Sequence, residues 1–461
     1  MAAILARFVQ RLLIQSSNPD QALQVGSQVA TFLELTPPTA TQGRTVKGCA
    51  QRLAEPNWWR TRLDRYFRQA VDNAYRHRGQ VRDGRSAYLS QHIHNEYLRS
   101  QQLSQEHLER TFLESEDGER VSLAEVWRST VANPAVRRAE MMTRVRGMEE
   151  YAQAHGYSGL FVTLTLPSEY HASYKKGHRN PRFNGSTPKD GNDHLMKLWA
   201  QIRAKLHRDN LRPFGLRVVE PHHDGCPHWH LMLFTPTGTE TAIKHVFEHY
   251  TLKDSARADL LKHRLKIVDI DPARGSAAGY VAKYVSKNID GAHLNTDQTG
   301  QPLKDTPTRI RAWASTWRIR QFQFMGTPPV GVWRELRRLM GASGGGGALG
   351  TAVEAADRGD WFGFMEAMQK PQVGGDGLGV ELMKAHTETV NRYTGEIVTS
   401  QFNRYGEPLD GKVIGVCSGL FRMPTRVRHW LGTQFEPLKV IGLVGRQADN
   451  PVSFRGNLGL V

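Results

Sequence analysis

Two apolar runs on either side of a short turn restrict the fold of this chain more than any other feature. The runs cover residues 215–220, "GLRVVE", and residues 228–234, "HWHLMLF". Between them lies "HHDGC", whose Asp224-Gly225 dipeptide is typical of tight hairpin turns. Apolar runs of this length around such a turn predict two antiparallel strands. We therefore expect an antiparallel sheet with this hairpin inside it.

Two histidines in the second strand are candidate metal ligands. Side chains two residues apart on a strand share a face, so His228 and His230 point the same way and Trp229 points the other way. Glu220, at the end of the partner strand, can cross the hairpin to reach the same face. Two imidazoles and one carboxylate with open coordination positions are typical of a catalytic metal site. The residue types leave Mg²⁺, Mn²⁺ and Zn²⁺ open, and they also allow two half-buried histidines without a metal.

Other histidines in the chain are weaker candidates. His222 and His223 lie in the turn, where we expect solvated side chains, although roles as ligands, supports for a ligand or phosphate contacts stay open. Cys226 stands alone in the turn and is left out of the ligand set. The same spacing recurs at His92 and His94 in "QHIHN". The pattern there is helical, however, and residues two apart do not share a helix face.

A pair of tyrosines lies in "SAAGYVAKYVSKNI", residues 276–289, which reads as a helix with Ser276 as its N-cap. Tyr280 and Tyr284 are four residues apart and share a face, and Lys283 and Lys287 repeat that spacing. The simpler alternative is two core aromatics and two surface lysines. A phenol attacks phosphorus when a metal polarises the phosphate and nearby cations stabilise the developing charge. These two tyrosines and two lysines are therefore the candidate catalytic residues.

The net charge of +16 indicates a nucleic acid or another anionic surface as partner. Residues 168–193 are polar and contain glycine and several cations, which predicts a long surface loop. Its candidate DNA contacts are Lys175, Lys176, Arg179 and Arg182. Near the N-terminus, aromatics alternate with arginines at helical spacing, and we expect them in a core rather than stacked on bases. They are Trp58, Trp59, Tyr66 and Phe67.

The remaining sequence suggests an intracellular chain made of several parts. Its three cysteines are scattered, which predicts no disulfide framework and a reducing compartment. The N-terminus lacks a clear cleavage site, and no apolar run reaches transmembrane length. Strands are predicted at residues 160–167 and 264–270, and a helix followed by a strand over residues 308–325. A hairpin is expected around Thr394-Gly395, and "GASGGGGALG" at 341–350 predicts a linker.

The combination of "FVTLTLP", "PHWHLMLF" and "YVAKYVSKN" resembles the three motifs of HUH endonucleases, in the two-tyrosine form found in rolling-circle replication initiators. Around these motifs, "NPAVRRAEMM" and "AWASTWRIRQFQFM" resemble the gene A-type replication proteins of temperate tailed phages and prophages. The resemblance covers about residues 120–340, with weaker matches at "PNWW" and "NRYGEPL".

The resemblance implies an α+β fold, with an antiparallel HUH core flanked by helices. Sequence composition predicts a basic helical N-terminal region at 1–120, and the resemblance places a nicking and joining domain at 121–340. The linker at 341–350 is followed by a small mixed C-terminal region at 351–461 of unknown role.

The resemblance also implies an activity. One tyrosine cuts a strand at an origin and keeps a 5′-phosphotyrosine link, while the free 3′-OH primes rolling-circle synthesis. The second tyrosine then allows the circle to be resealed. The implied ligands are His228, His230 and Glu220, around Mg²⁺ or Mn²⁺. The implied partners are single-stranded or locally melted origin DNA and a host replicative helicase. We expect a monomer, in the cytoplasm of a bacterial host, with no membrane contact.

Three alternatives remain open from the sequence. The first is an HUH relaxase or transposase with the same chemistry. The second is a basic DNA-binding protein that is not an enzyme. The third is metal-dependent hydrolysis with water as the nucleophile, which would leave no covalent protein–DNA adduct.

Overall fold

The structure is a computed structural model. It describes residues 1–16, 18–253, 258–271, 273, 275–291, 305–339, 341, 347–369, 379–390, 397–419, 421–426 and 430–433. The chain divides into two compact units. The first combines Met1–Ala74 with Leu382–Gly415, and the second combines Tyr75–Glu381 with the described part of Val416–Val461. These divisions differ from the predicted partition at residues 120 and 340, which stays a prediction.

The described elements follow one another along the chain with these bounds. The helices are α1 (Ala2–Ser16), α2 (Pro19–Phe32), α3 (Val46–Leu53), α4 (Pro56–His77), α5 (Gln91–Arg110), α6 (Leu123–Ser129), α7 (Pro134–Ala154), α8 (Pro188–Arg208), α9 (Glu240–Leu252), α10 (Leu261–Arg264), α11 (Ala277–Ile289), α12 (Thr306–Trp317), α13 (Val330–Leu336), α14 (Gly347–Arg358) and α15 (Trp361–Ala367). The strands are β1 (Phe112–Ser115), β2 (Arg120–Ser122), β3 (Tyr157–Thr165), β4 (Phe214–Pro221), β5 (Pro227–Pro236), β6 (Leu265–Ile270), β7 (Phe322–Met325), β8 (Glu381–Ala385), β9 (Thr387–Val390), β10 (Ile397–Ser400), β11 (Lys412–Ser418), β12 (Phe421–Pro424) and β13 (Trp430–Thr433). The fold is therefore α+β, as predicted.

The second unit is built on a five-stranded antiparallel sheet with the strand order β6-β3-β5-β4-β7. Helices α7 and α11 pack together on the face that carries His230, and α8 packs with α9 on the face that carries Trp229. The two central strands, β4 and β5, are almost entirely buried. A separate three-stranded sheet has the order β13-β1-β2. The hairpin that holds the candidate ligands thus lies in the middle of the larger sheet.

Most of the predicted elements are confirmed. Strands β3 to β7 and helices α11 and α12 appear where the patterns place them, and Ser276 caps α11 by accepting the Gly279 amide. Strands β9 and β10 pair antiparallel on either side of the predicted Thr394-Gly395 turn, which itself lies outside the described residues.

Two predicted boundaries are wrong. The predicted loop 168–193 ends earlier, because α8 begins at Pro188. Thr187 and Asp190 form a capping box there, each accepting the backbone amide of the other. Of the predicted linker, residues 347–350 form the first turn of α14, where Leu349 is buried, and residues 342–346 lie outside the described residues.

In the first unit, helices α1 to α4 enclose an apolar core. Trp58 and Trp59 lie in it with their rings edge to face at 4.8 Å, and the Trp59 indole donates to the Leu53 carbonyl at 2.7 Å. The core prediction holds for these two residues. It is wrong for Phe67, which is 53 % exposed, and Tyr66 is only half-buried. None of the described helices has both the length and the apolar character needed to cross a membrane.

An ion pair between the half-buried Arg52 and the buried Glu407 joins distant segments within the first unit. The Arg52 guanidinium donates to both carboxylate oxygens of Glu407, at 2.7 and 2.5 Å. A Cβ at Gly48 would overlap the Glu407 carboxylate, so this close approach favours glycine. The Arg52 hydrogen bonds lower the pKa of Glu407 to about 2.

We expect this pair to make stability pH-dependent. Because the folded pKa is depressed, the stabilisation is present above the ordinary glutamate pKa and is lost as pH falls toward about 2. Glu407→Gln should lower the free energy of unfolding at pH 6. The difference in unfolding free energy between the variant and the wild type should shrink as pH falls below about 4. Urea denaturation at a series of pH values measures this. A difference that stays constant with pH would show that the carboxylate charge is not its source.

Candidate active site

The hairpin register brings the three candidate ligands to one place. In the pairing of β4 with β5, Glu220 lies directly opposite His228, and His230 follows on the same face. Trp229 is buried on the opposite face, where its indole donates to the Asn192 side chain at 3.2 Å. The two strands therefore present one carboxylate and two imidazoles on one side of the sheet.

The three side chains form a compact donor cluster. His228 Nε2 and His230 Nε2 are 2.8 Å apart, and Glu220 Oε2 lies 3.5 Å from the second and 4.0 Å from the first. One donor atom from each residue lies within 4.8 Å of the others. Burial and the adjacent His222 ring lower the pKa of His228 well below its ordinary value. A neutral imidazole is the form that binds a metal, so the donor set fits a divalent cation.

Further side chains contact these three candidate ligands and fix their orientation. The Thr163 hydroxyl lies 3.1 Å from His230 Nδ1, and Asn288 Nδ2 donates to Glu220 Oε1 at 2.5 Å. The Gln321 side chain in turn donates to Asn288 Oδ1 at 3.1 Å. With Oε1 held in this way, Oε2 of Glu220 is the oxygen that faces the imidazoles.

The Glu220 carboxylate stays ionised although it is buried. Burial raises its pKa, but Lys287, with Nζ 3.6 Å from Oε2, together with His230 and Asn288, outweighs this and lowers the pKa of Glu220 to about 2. The Glu220 carboxylate is therefore negatively charged at neutral pH, and carboxylate oxygens suit a divalent cation.

Helix α11 places one of its two tyrosines directly against this cluster. The Tyr284 ring lies 4.2 Å from the His230 ring, between centroids, and 5.5 Å from the Phe161 ring. Burial and the Glu220 charge raise the pKa of Tyr284 to about 12. Tyr280 lies one turn earlier on the helix. The inner phenol is thus next to the donor cluster, and the outer one is farther along the same face.

An open cleft of about 540 Å³ lies over both tyrosines. Tyr280, Tyr284, Lys266 and Lys283 are among its lining residues. Lys283 is exposed, with its ammonium 5.4 Å from the centre of the Tyr284 ring. Phenols and cations in one open cleft suit a phosphate-bearing ligand.

A buried carboxylate fixes the start of the tyrosine helix. Glu149 on α7 accepts the Ala277 amide at 2.6 Å and the Ala278 amide at 3.1 Å, and it is 8 % exposed. Carboxylates stabilise helix N-termini because the first amides have no partner within the helix. Glu149 therefore fixes α11, and with it both phenols, against α7.

The prediction that His222 and His223 are solvated is wrong. The His222 ring lies 4.1 Å from the His228 ring, and each of the two turn histidines has a buried ring nitrogen with no hydrogen-bond partner in the described part of the chain. Burial and the nearby charge of His171 lower the pKa of His222 to about 3. His222 is thus a neutral ring packed against the candidate ligand His228.

The turn is buried because Asp224 is drawn inward. Its carboxylate accepts the Ala172 amide at 2.8 Å and the Cys226 amide at 3.1 Å, and the residue is fully buried. The Tyr88 amide adds a bond to the carbonyl of His223 at 3.0 Å. Cys226 is buried and lies outside the donor cluster, in agreement with its exclusion.

The four predicted DNA contacts form a separate exposed group. Lys175, Lys176, Arg179 and Arg182 are all exposed on the segment that follows β3, and none of them lines the cleft over the tyrosines. The structure therefore presents two basic surfaces in this unit, one at the tyrosines and one on this segment.

Several supporting residues were missed from the sequence. Asn288 had a usable signal, since it follows Tyr284 by four residues on the same helix face. Thr163, Gln321 and Glu149 had none, because their contacts join elements far apart in the chain; Glu149 and Ala277 are 128 residues apart.

Comparisons with known proteins agree on one relationship. Residues 11–292 match the family described as bacteriophage replication gene A protein. The "Replication gene A protein" of Escherichia phage 186 is 41 % identical over 366 residues, which are 77 % of this chain and 52 % of that protein. The protein of the same name from Escherichia phage P2 is 36 % identical over 372 residues, 77 % of this chain and 49 % of that protein.

A "Probable replication endonuclease from prophage-like region" of Salmonella typhimurium is 38 % identical over 233 residues, 49 % of this chain and 29 % of that protein. The chain spans about half the length of the two phage relatives. No solved structure matches it.

Proposed function

Because the chain belongs to the bacteriophage replication gene A protein family, we propose that it is an HUH-type, two-tyrosine endonuclease that starts rolling-circle replication. The observation that carries this proposal is the contact of the Tyr284 ring with His230, beside Glu220 and His228. A phenol next to a donor cluster that fits a divalent cation is suited to attack a phosphate.

The proposed reaction conserves the phosphodiester bond energy. The phenol oxygen of Tyr284 attacks phosphorus, the bond to the 3′-oxygen breaks, and the released 3′-OH takes up the proton that the phenol loses. The DNA 5′ end remains on the tyrosine as a phosphodiester. After one round of synthesis Tyr280 cuts the regenerated site, and the new 3′-OH attacks the first phosphotyrosine, closing the circle and restoring the phenol. No nucleotide cofactor is consumed.

In this proposal Glu220, His228 and His230 would hold a divalent cation, Mg²⁺ or Mn²⁺, which would supply Lewis-acid polarisation of a phosphate oxygen. Burial and the Glu220 charge raise the pKa of Tyr284, and an unperturbed phenol already keeps its proton at neutral pH, so polarisation of the phosphate would favour the attack. Lys283, exposed in the cleft, stabilises charge on the phosphate. Lys287 balances the charge of Glu220, from which its Nζ is 3.6 Å away.

The experiment that tests the proposal uses 5′- and 3′-labelled single-stranded DNA from the replication origin of the parent element. The full chain is incubated with this DNA and Mn²⁺ or Mg²⁺, and the products are separated on a denaturing gel. A covalent adduct that carries the 5′ end and forms only with metal supports it. Nicking without an adduct would instead support attack by water. Binding without nicking would support a DNA-binding protein that is not an enzyme.

The same chemistry in a relaxase or transposase is the nearest alternative, and family membership favours the replication role. Release of a closed single-stranded circle from a substrate with two origin copies distinguishes replication from mobilisation. The helicase partner and the monomeric state stay predictions from the family resemblance.

The hydrogen bond to His230 gives a prediction about metal affinity. Thr163→Val keeps the β-branched shape but removes the oxygen 3.1 Å from His230 Nδ1. Loss of such a supporting contact typically costs about 10- to 100-fold in metal affinity, so we expect weaker Mn²⁺ binding with an unchanged fold. Calorimetric titration with Mn²⁺ measures it. Thr165→Val is the matched control, since Thr165 lies on the same face of β3 and makes no hydrogen bond to either imidazole in the described structure. Equal affinities of both variants would contradict the prediction.

A further inference from the structure

A short hairpin follows β3 in the second unit. In residues 173–179, which we call the basic finger, Ser173 pairs with Arg179 in an antiparallel bridge. The Tyr174 amide donates to the His178 carbonyl at 2.8 Å, and the Gly177 amide donates to the Tyr174 carbonyl at 2.8 Å. Gly177 has φ of 85°, a conformation that favours glycine and closes the turn. The finger is thus a closed turn with a defined tip.

Buried polar contacts fasten the base of the finger. Asp224, fully buried in the turn between β4 and β5, accepts the Ala172 amide at 2.8 Å. The Asn180 side chain, 5 % exposed, donates to the carbonyls of Ser168 and His171 at 2.7 and 2.9 Å. Arg82 reaches the tip and donates to the Gly177 carbonyl at 3.0 Å. Because Asp224 lies four residues from both Glu220 and His228, the finger is fixed to the hairpin that holds the donor cluster.

The tip of the finger carries an exposed ring among cations. Tyr174 is 44 % exposed, and Lys175, Lys176, His178 and Arg179 are exposed around it. Residues 170–189 contain five lysines and arginines and no aspartate or glutamate. A cationic surface of this kind suits a polyanion, and an exposed aromatic ring within it is the arrangement on which nucleobases stack.

A cavity beside the finger points to the same class of ligand. It has a volume of about 350 Å³ and is lined by His77, Phe183, Arg179 and Asn180, among others. The centroids of the His77 and Phe183 rings are 5.1 Å apart. The Arg76 guanidinium lies 5.5 Å from the centre of the Phe183 ring. Aromatic and guanidinium planes are the surfaces that hold flat heteroaromatic rings.

We propose that the basic finger is a binding site for single-stranded nucleic acid, in which a nucleobase stacks on Tyr174 and the flanking cations hold the adjoining phosphates. This rests on the proposed function for the identity of the strand, which is the one that enters the cleft over Tyr280 and Tyr284. Asp224 connects the basic finger to the β4–β5 hairpin, which carries Glu220, His228 and His230. The nucleotide bound at the finger is therefore held at a fixed distance from the phosphodiester that is cut. The finger thereby helps to choose the site of cleavage.

The test measures binding without metal, so that no cleavage is needed. The full chain is titrated into a fluorescent thymidine oligonucleotide about twenty nucleotides long, longer than a typical single-strand site of about 4–16 nucleotides. Tyr174→Ala should weaken binding about tenfold, within the range expected for one lost base stack, and should leave the salt dependence unchanged. Tyr174→Phe should bind like the wild type. Lys175→Ala should lower the salt slope by about 0.7, because one phosphate contact is lost.

Tyr75→Ala is the matched control, since Tyr75 is 37 % exposed on α4 in the same unit. A second readout replaces thymidine with 5-iododeoxyuridine, which crosslinks to a stacked aromatic ring under light, and locates the crosslink by mass spectrometry. A crosslink on Tyr174 supports the proposal. The proposal would be overturned if Tyr174→Ala bound with wild-type affinity or if the crosslink lay on another residue. It would also be overturned if duplex DNA or anionic lipid vesicles bound equally well and that binding also depended on Tyr174. Failure of the covalent adduct assay alone would leave this binding result intact and would count only against the nuclease.

Discussion

Tyr284→Phe is expected to abolish the covalent protein–DNA adduct. Loss of the attacking oxygen removes the nucleophile while the ring still packs against His230 and Phe161, so the fold should be kept. We expect the rate of adduct formation to fall at least about 10⁴-fold, as when other covalent nucleophiles are removed. Single-turnover assays with labelled origin DNA and Mn²⁺, separated on denaturing gels, give this rate.

Tyr280→Phe is the companion variant, one helical turn away in the same cleft. It should still form the first adduct and should fail to release a closed circle, because the second cut is lost. The reverse pattern would show that Tyr280 attacks first and would overturn the assignment made from the position of Tyr284. An adduct that survives in the double variant would exclude both phenols as nucleophiles.

His228→Ala and His230→Ala are each expected to eliminate both metal binding and cleavage. Either change removes one of the three donors that lie within 4.8 Å of one another. Removing a supporting contact already costs about 10- to 100-fold in metal affinity, so loss of a ligand should weaken Mn²⁺ binding at least about a hundredfold. The cation contributes several kcal/mol of charge stabilisation, so cleavage should slow at least about a thousandfold. Calorimetry gives the first quantity and the adduct assay the second.

The chain provides a matched control for these two variants. His92 has the same His-apolar-His spacing, but it is an exposed residue on helix α5. His92→Ala should leave Mn²⁺ affinity and adduct formation at the wild-type level. If His228→Ala still bound Mn²⁺ with wild-type affinity, the cluster would be two packed histidines and a carboxylate, and the metal hypothesis would be wrong.

The hairpin could be predicted from the sequence because its information is local. The period of two in the strand places His228 and His230 on one face, and the turn length brings Glu220 opposite them. The four-residue spacing on a helix likewise puts Tyr280 and Tyr284 on one face. Such relations depend only on the geometry of one element or of two adjacent ones.

The rest of the site depends on pairings that no local pattern encodes. Thr163 meets His230 only because β3 pairs with β5, and Gln321 reaches Asn288 only once β7 has joined β4. The burial of His222 was missed for the same reason: the amide that draws Asp224 inward belongs to Ala172, 52 residues away. The start of α8 could have been predicted, because the capping box of Thr187 and Asp190 is a local sequence pattern.

Helix α11 is held at both ends, which bears on how the proposed exchange between its two tyrosines would proceed. Glu149 holds its first amides, and in its last turn Asn288 donates both to the Tyr284 carbonyl and to Glu220. A shift of the helix would break the contact that sets the Glu220 carboxylate. The two phenols are one turn apart, about 6 Å along the axis. If each phenol attacks in turn, the bound DNA strand must shift by that distance while the helix stays in place. The mobility of the bound strand, rather than that of the enzyme, would then limit the exchange.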